Sequence, residues 1–189
     1  MSDTTKVGKT SILKCLNNQD FVESYSATVG VEFFAVNYKD ENSDFIMNMK
    51  NYGCSGDEKY KCLLGLCIDS ANAIVFVYDI TKIESFNNLE EYIDEVKNLA
   101  TKVRPFFLLG NKLDLVEQNQ NARQVTTEAA KKLAVDKDLI FLGECSAKDN
   151  TYMPAQELYC KIKNLINEDL KCTEGLSGML KDIVYKIVK

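Results

Sequence analysis

Apolar positions along the chain follow two rhythms. Residues 73–78 (AIVFVY) form a short continuous apolar run ending at Asp79, and 106–109 (FFLL) and 139–142 (LIFL) repeat it. A run of this length without polar alternation predicts a strand buried on both faces. Residues 31–38 (VEFFAVNY) and 45–52 (FIMNMKNY) read as two further extended segments, separated by the polar stretch 40–44 as in a hairpin. The second rhythm is helical. Leu89, Tyr92, Ile93, Val96, Leu99 and Ala100 recur at three- and four-residue spacing, one face of a helix. Thr126 or Thr127 can cap a second helix, with Glu128 in its first turn, and Leu158, Ile162, Leu165 and Ile166 mark a third. Buried strands alternating with helices predict an α/β domain, a mostly parallel sheet flanked by helices. Ligands in such folds bind beyond the carboxyl ends of the strands, so the residues after each run are where chemistry is expected.

Composition narrows the classes. At 189 residues and 46% hydrophobic, the chain is one domain's worth of sequence. It is long enough to bury about two-thirds of its unfolded surface. With 28 acids against 23 bases the net charge is −5, which argues against a general nucleic-acid binder. Histidine is absent, which excludes His-based triads, His-ligated metals and histidine pH switches. The seven cysteines are odd in number and hold no Cys-x-x-Cys pair, as expected of reduced thiols in a cytoplasmic protein. Cys62 and Cys67 read as small packing residues. No signal peptide and no membrane-spanning run is legible.

Three segments carry chemistry. Gly8-Lys9-Thr10 opens the helical stretch 11–16. In a phosphate-binding loop, backbone N–H groups surround phosphates, a lysine reaches the β and γ groups, and a Ser/Thr hydroxyl binds Mg²⁺. Gly110-Asn111-Lys112-Leu113-Asp114 follows the 106–109 run, and Glu144-Cys145-Ser146-Ala147-Lys148 follows 139–142. Two distinct motifs at two successive strand ends fit a purine site. The Asp114 carboxylate can accept two N–H bonds from the N1/N2 edge of guanine. Adenine lacks those donors and would leave a charged acceptor unpaired. The Lys112 stem can cover the base, and the Ala147 N–H can meet guanine O6.

On these residues the chain resembles a Ras-superfamily small GTPase, most like the Rab branch. The segment 26–33 (SATVGVEF) resembles switch I, Tyr78-Asp79-Ile80-Thr81 resembles the Rab strand-to-helix junction, and the likeness covers about residues 6–170. The resemblance implies a P-loop NTPase fold, the Ras-like G domain, binding GTP or GDP with Mg²⁺. Gly8, Lys9, Thr10, Phe21, Thr28, Gly56, Asn111, Lys112, Asp114, Ser146, Ala147 and Lys148 would hold the nucleotide, with Thr10 and Thr28 on the metal. Segments 21–34 and 53–65 would be the two switches, read by effectors and exchange factors. The implied protein is a monomeric switch in vesicle trafficking, cytoplasmic or peripheral on endomembranes.

The phosphate end departs from the family. A buried central strand usually leads into the phosphate loop, whereas 1–5 (MSDTT) is not strand-like, and Asp3 stands where the loop's first glycine is usual. The first strand is therefore expected to be missing: either the domain, placed at 1–170, is N-terminally incomplete, or another segment fills the gap. In switch II the pattern Asp-Thr-Ala-Gly-Gln-Glu becomes Gly53-Cys54-Ser55-Gly56-Asp57-Glu58. The acid that supports Mg²⁺ is replaced by Gly53. The glutamine that orients the attacking water is replaced by Asp57, the doubtful catalytic position, which lacks the amide donor. Metal binding and hydrolysis are expected to be impaired, and a non-catalytic pseudo-GTPase or scaffold is the competing expectation. The tail, 171–189, has no prenylation box. Its Met179, Leu180, Ile183, Val184, Ile187 and Val188 would form one apolar stripe on a helix, suited to a membrane or to packing on the domain. Gly143 reads as a one-residue insertion and predicts a bulge.

Overall fold

In the computed structural model the described residues are 6–17, 19–23, 30–39, 46–54, 65, 68, 71–101, 105–149 and 183–188. In chain order the elements are α1 (Lys9–Leu16), β1 (Val31–Lys39), β2 (Ile46–Cys54), β3 (Ala73–Asp79), α2 (Ile83–Leu99), β4 (Phe106–Asn111), α3 (Leu113–Gln118), α4 (Thr127–Asp136), β5 (Ile140–Glu144) and β6 (Ile183–Val188). The three apolar runs, the hairpin strands and the first two helices thus fall where the apolar rhythms predict them. The helix expected around 158–166 lies outside the described residues.

Every residue of β3 is buried. Its alternate side chains face two cores. Val75 and Val77 pack with Ile12, Leu13 and Leu16 of α1 and with Phe107 and Leu109 of β4. Ile74, Phe76 and Tyr78 pack on the other face with Leu89, Ile93 and Val96 of α2 and Ala130 and Leu133 of α4. This double burial is why the strand shows no polar alternation. In α2 the buried stripe is narrower than the periodicity suggested: Tyr92 is half-buried and Leu99, at the last turn, is exposed. Thr126 caps α4, its hydroxyl accepting from the Ala129 N–H at 3.1 Å. This satisfies one of the helix's orphan donors.

The six strands run in the order β1-β2-β6-β3-β4-β5. β1 and β2 form the antiparallel hairpin, from Val31 opposite Cys54 to Lys39 opposite Ile46. All other pairs are parallel. The C-terminal strand lies in the middle. β6 pairs with β2 from Met49–Ile183 to Gly53–Ile187, and with β3 from Ala73–Tyr185 to Phe76–Val188.

Two expectations change here. No strand leads into Gly8 among the described residues, but the central slot is filled, by Ile183–Val188. And the stripe read as one face of a helix belongs, over 183–188, to a strand. The physical reason is the same for both. Without a strand between them, the inner edges of β2 and β3 would bury unpaired N–H and C=O groups. A β-branched run such as Ile-Val-Tyr-Lys-Ile-Val suits that slot better than it suits an isolated helix of about eleven residues.

A proline at Tyr185 removes a ladder donor from the strand that joins the two halves of the sheet and leaves a carbonyl unpaired, and should cost about 1–3 kcal/mol. Val135→Ala, at an exposed α4 position, should change stability by less than about 0.5 kcal/mol. Urea unfolding of both variants checks this; a Tyr185→Pro midpoint equal to wild type would contradict the central placement of β6.

Candidate functional site

The carboxyl ends of β3 and β4, and the turn after β5, meet the start of α1 around one side chain. Asn111, the last residue of β4, is buried. Its Nδ2 donates to the Val7 carbonyl at 2.9 Å, and its Oδ1 accepts from the Ala147 N–H at 3.2 Å. The buried Cys145 thiol also points at Oδ1, at 3.8 Å. One carboxamide therefore ties three segments that are far apart in sequence: Val7 at the entry to the 8–10 loop, the 110–114 motif and the 144–148 motif.

Gly8 shows why its position needs glycine. Its φ is +93°, a left-handed conformation, and a Cβ placed there would lie 2.3 Å from Asn111 Nδ2. Any side chain would be strained and would displace the carboxamide. From this turn α1 begins, the Gly8 carbonyl accepting from the Ile12 N–H at 2.9 Å. Lys9 is buried in its first turn, and Thr10 Oγ1 donates to Glu32 Oε2 at 2.7 Å. Hydroxyl and carboxylate oxygens are the donors that suit a hard cation such as Mg²⁺. Among the described residues no group of three or more acidic, Cys or His side chains is assembled that could hold a metal by itself.

At the other end, Asp114 is buried in the first turn of α3 and its Oδ1 accepts from Ser146 Oγ at 2.8 Å. Ser146 Oγ in turn accepts from the N–H groups of Lys148 and Asp149 at 3.1 and 3.2 Å. The backbone is stitched alongside: Leu113 N–H donates to the Cys145 carbonyl at 3.1 Å, and Cys145 N–H to the Gly110 carbonyl at 2.9 Å. Asp114 is thus a fixed acceptor on a braced turn, the arrangement a base edge with two N–H donors requires.

Between these ends sits Lys112, at φ +73°, with its ammonium 2.6 Å from Asp79 Oδ2. Asp79 is fully buried, and its Oδ1 accepts from the Thr81 N–H and hydroxyl at 2.9 and 2.6 Å. The pair holds the lysine stem beside the end of β3. Lys148 Nζ meets Glu23 at 3.1 Å, which raises the lysine's pKa and brings the stretch 21–23, with its exposed Phe21, beside the 144–148 motif.

Glu144 anchors the end of β5. Arg123 donates to both its oxygens at 2.8 and 2.7 Å, and the Thr127 hydroxyl adds a third bond at 2.9 Å. Burial pushes the Glu144 carboxyl up, but the Arg123 and Thr127 hydrogen bonds outweigh it and hold the group below the usual carboxylate range. Burial likewise pushes the Cys145 thiol up to about 12, so it stays a neutral packing group. The predicted bulge is present: pairing steps from Leu108–Phe141 to Leu109–Gly143, with Gly143 at φ +113°. Ala147 still reaches Asn111.

Gly8, Lys9, Thr10, Asn111, Lys112, Asp114, Ser146, Ala147 and Lys148 therefore lie along one rim of the sheet. Thr28, within 24–29, and Gly56 and Asp57, within 55–64, lie outside the described residues, as do Cys62 and Cys67. Three participants were not singled out from sequence as site residues: Glu32, Asp79 and Arg123. Asp79 alone carried a signal, a charge ending an apolar run. Glu32 and Arg123 look like ordinary surface charges until the fold supplies their partners.

Known proteins resemble this chain over most of its length. The Ras family model matches residues 3–167. Mouse Ras-related protein Rab-44 is 36% identical over 143 residues, 76% of this chain and 14% of that protein. Rice Ras-related protein RIC1 is 33% identical over 145 residues, and Arabidopsis RABD1 is 30% identical over 146. Each of these two matches covers 77% of this chain and 68% of the relative. The matched region thus spans about a seventh of mouse Rab-44 and about two-thirds of the plant proteins.

Asn111→Ala leaves the buried Val7 carbonyl and Ala147 N–H without this partner. At roughly 1–3 kcal/mol per orphaned group, it should destabilise the fold by about 2–6 kcal/mol. Thermal unfolding against a mild surface control reads the loss, and a shift of less than a degree would mean the carboxamide is not the joint described.

Proposed function

We propose that this chain, which belongs to the Ras family of small GTPases and is Rab-like within it, is a guanine-nucleotide switch that hydrolyses GTP slowly. The observation that carries the reading is Asn111 joining the phosphate-loop backbone to the base-reading turn, with Asp114 set by Ser146 as the acceptor for a guanine edge. Lys9 at the start of α1 would face the phosphates, and the Lys112 stem would lie along the base. Ala147 would present its N–H to O6, while Phe21 and Lys148 would close the outer side. Thr10, and Thr28 when the nucleotide is a triphosphate, would hold Mg²⁺, which when bound neutralises phosphate charge. Gly56 would sense the γ-phosphate.

Slow hydrolysis follows from Asp57. A carboxylate has no N–H to offer the attacking water and repels the γ-phosphate, so the positioning supplied by an amide is lost. Segments 21–34 and 53–65 would change with nucleotide state and be read by effectors and exchange factors in vesicle trafficking. The protein would act as a monomer, in the cytoplasm or peripherally on endomembranes. None of the helices among the described residues is long and apolar enough to cross a membrane. A second reading, a scaffold without catalysis, is favoured by Gly53 and Asp57; protein purified free of guanine nucleotide and unable to take it up would select it.

Two substitutions test the site. Asp114→Asn turns one acceptor into an amide donor. Affinity for GDP should fall by about a hundredfold or more, while xanthosine diphosphate, which carries a carbonyl in place of the 2-amino group, should bind better to the variant than to wild type. Unchanged GDP affinity would remove Asp114 from the base site. Asp57→Gln restores the amide and should raise single-turnover GTP hydrolysis by about tenfold or more, GDP affinity staying constant. A wild-type rate that the glutamine does not improve would end the slow-hydrolysis reading.

A further inference from the structure

We infer that Glu32 supplies, from β1, the carboxylate of the divalent-cation site that Gly53 cannot supply from β2. The inference rests on the nucleotide-binding reading above and concerns its metal end. The family places an acid at the position of Gly53, and that residue has no side chain here. Glu32 is the cross-strand partner of Gly53 in the β1–β2 ladder. Directly opposed residues point to the same face of a sheet, with Cβ atoms a few ångströms apart. A Cβ built at Gly53 would indeed lie 3.9 Å from the Glu32 Cβ. The glutamate therefore starts beside the absent side chain. Its extra methylene, relative to aspartate, gives it reach from the neighbouring strand.

The far end of Glu32 is fixed. Its Oε2 accepts the Thr10 hydroxyl at 2.7 Å. Thr10 is the phosphate-loop hydroxyl expected on the metal. A hydroxyl that donates its proton to a carboxylate turns its oxygen, not its hydrogen, outward, so the bond orients Thr10 and Glu32 together. Packing explains why the carboxylate comes from β1. The Gly53 Cβ position is 2.7 Å from Leu13 Cδ1, so the wall of α1 has closed over the place where a residue-53 side chain would emerge. Mg²⁺ is commonly held by one or two carboxylates together with substrate phosphates and retained waters, so a single glutamate with Thr10 and a nucleotide is a sufficient donor set. The loss of the acid at 53 then does not abolish metal support; Glu32 relocates it by one strand.

The test reads metal binding directly. Mn²⁺ is titrated by electron paramagnetic resonance into wild-type protein and Glu32→Gln, once with inorganic tripolyphosphate and once with GDP. The glutamine variant should bind Mn²⁺ about tenfold more weakly in both series, within the range seen when a group supporting a metal is removed. Glu32→Asp, which keeps the charge but shortens the reach, should fall between the two, and it replaces the glutamine variant if that one fails to fold. Equal Mn²⁺ affinity in wild type and Glu32→Gln overturns the inference, whether or not guanine nucleotide binds. Failure to bind GDP while Glu32 still controls Mn²⁺ with tripolyphosphate overturns the nucleotide reading and leaves this one standing.

Discussion

The buried carboxamide of Asn111 is the constraint on which the site depends. A neutral amide offers both donor and acceptor on one rigid plane, and here both are used, on Val7 and on Ala147. No other charge-neutral side chain of that length satisfies a buried carbonyl and a buried N–H together. Gly8 is shaped around it, since any β-carbon there would occupy the space of the amide nitrogen. The phosphate end and the base end of the rim are therefore held at a fixed spacing by one side chain instead of by loop backbone.

That joint is only as rigid as the sheet beneath it. β3 is buried on both faces, and its alternate residues knit the α1 core to the core under α2 and α4. Yet β2 and β3 are not neighbours: β6 stands between them. The hairpin that carries Glu32 and Gly53 is thus joined to the base-reading half of the molecule by a strand from the far end of the chain. A chain-end strand in a central slot couples the folding of the whole domain to a long-range closure, an entropic cost met only when both of its edges pair.

The two ends of the rim are built differently. The base end is dense in hydrogen bonds, with Asp114, Ser146 and the turn after β5 mutually satisfied, and Glu144 clamped by Arg123 and Thr127 beneath them. The phosphate end has given up a side chain at 53 and brings a carboxylate from the opposing strand instead. A densely bonded base end beside an altered metal end is the arrangement the proposed slow switch would use.

The sequence by itself determined most of the described elements and which motifs share a rim. Doubly buried strands announce themselves as continuous apolar runs, and the motifs at 110–114 and 144–148 sit directly after two of them, so their shared rim follows from local order. The bulge at Gly143 and the Thr126 cap were legible for the same reason: each is a local rule of chain geometry. Only the tertiary structure decided three things. It put Ile183–Val188 into the sheet, because a short apolar stripe fits a helix face or a strand equally well until two open strand edges compete for it. It paired Lys112 with Asp79 and Arg123 with Glu144, contacts between residues 33 and 21 positions apart that no periodicity encodes. And it set Glu32 opposite Gly53, because the register of a hairpin, not the order of residues, determines which side chain stands beside a missing one.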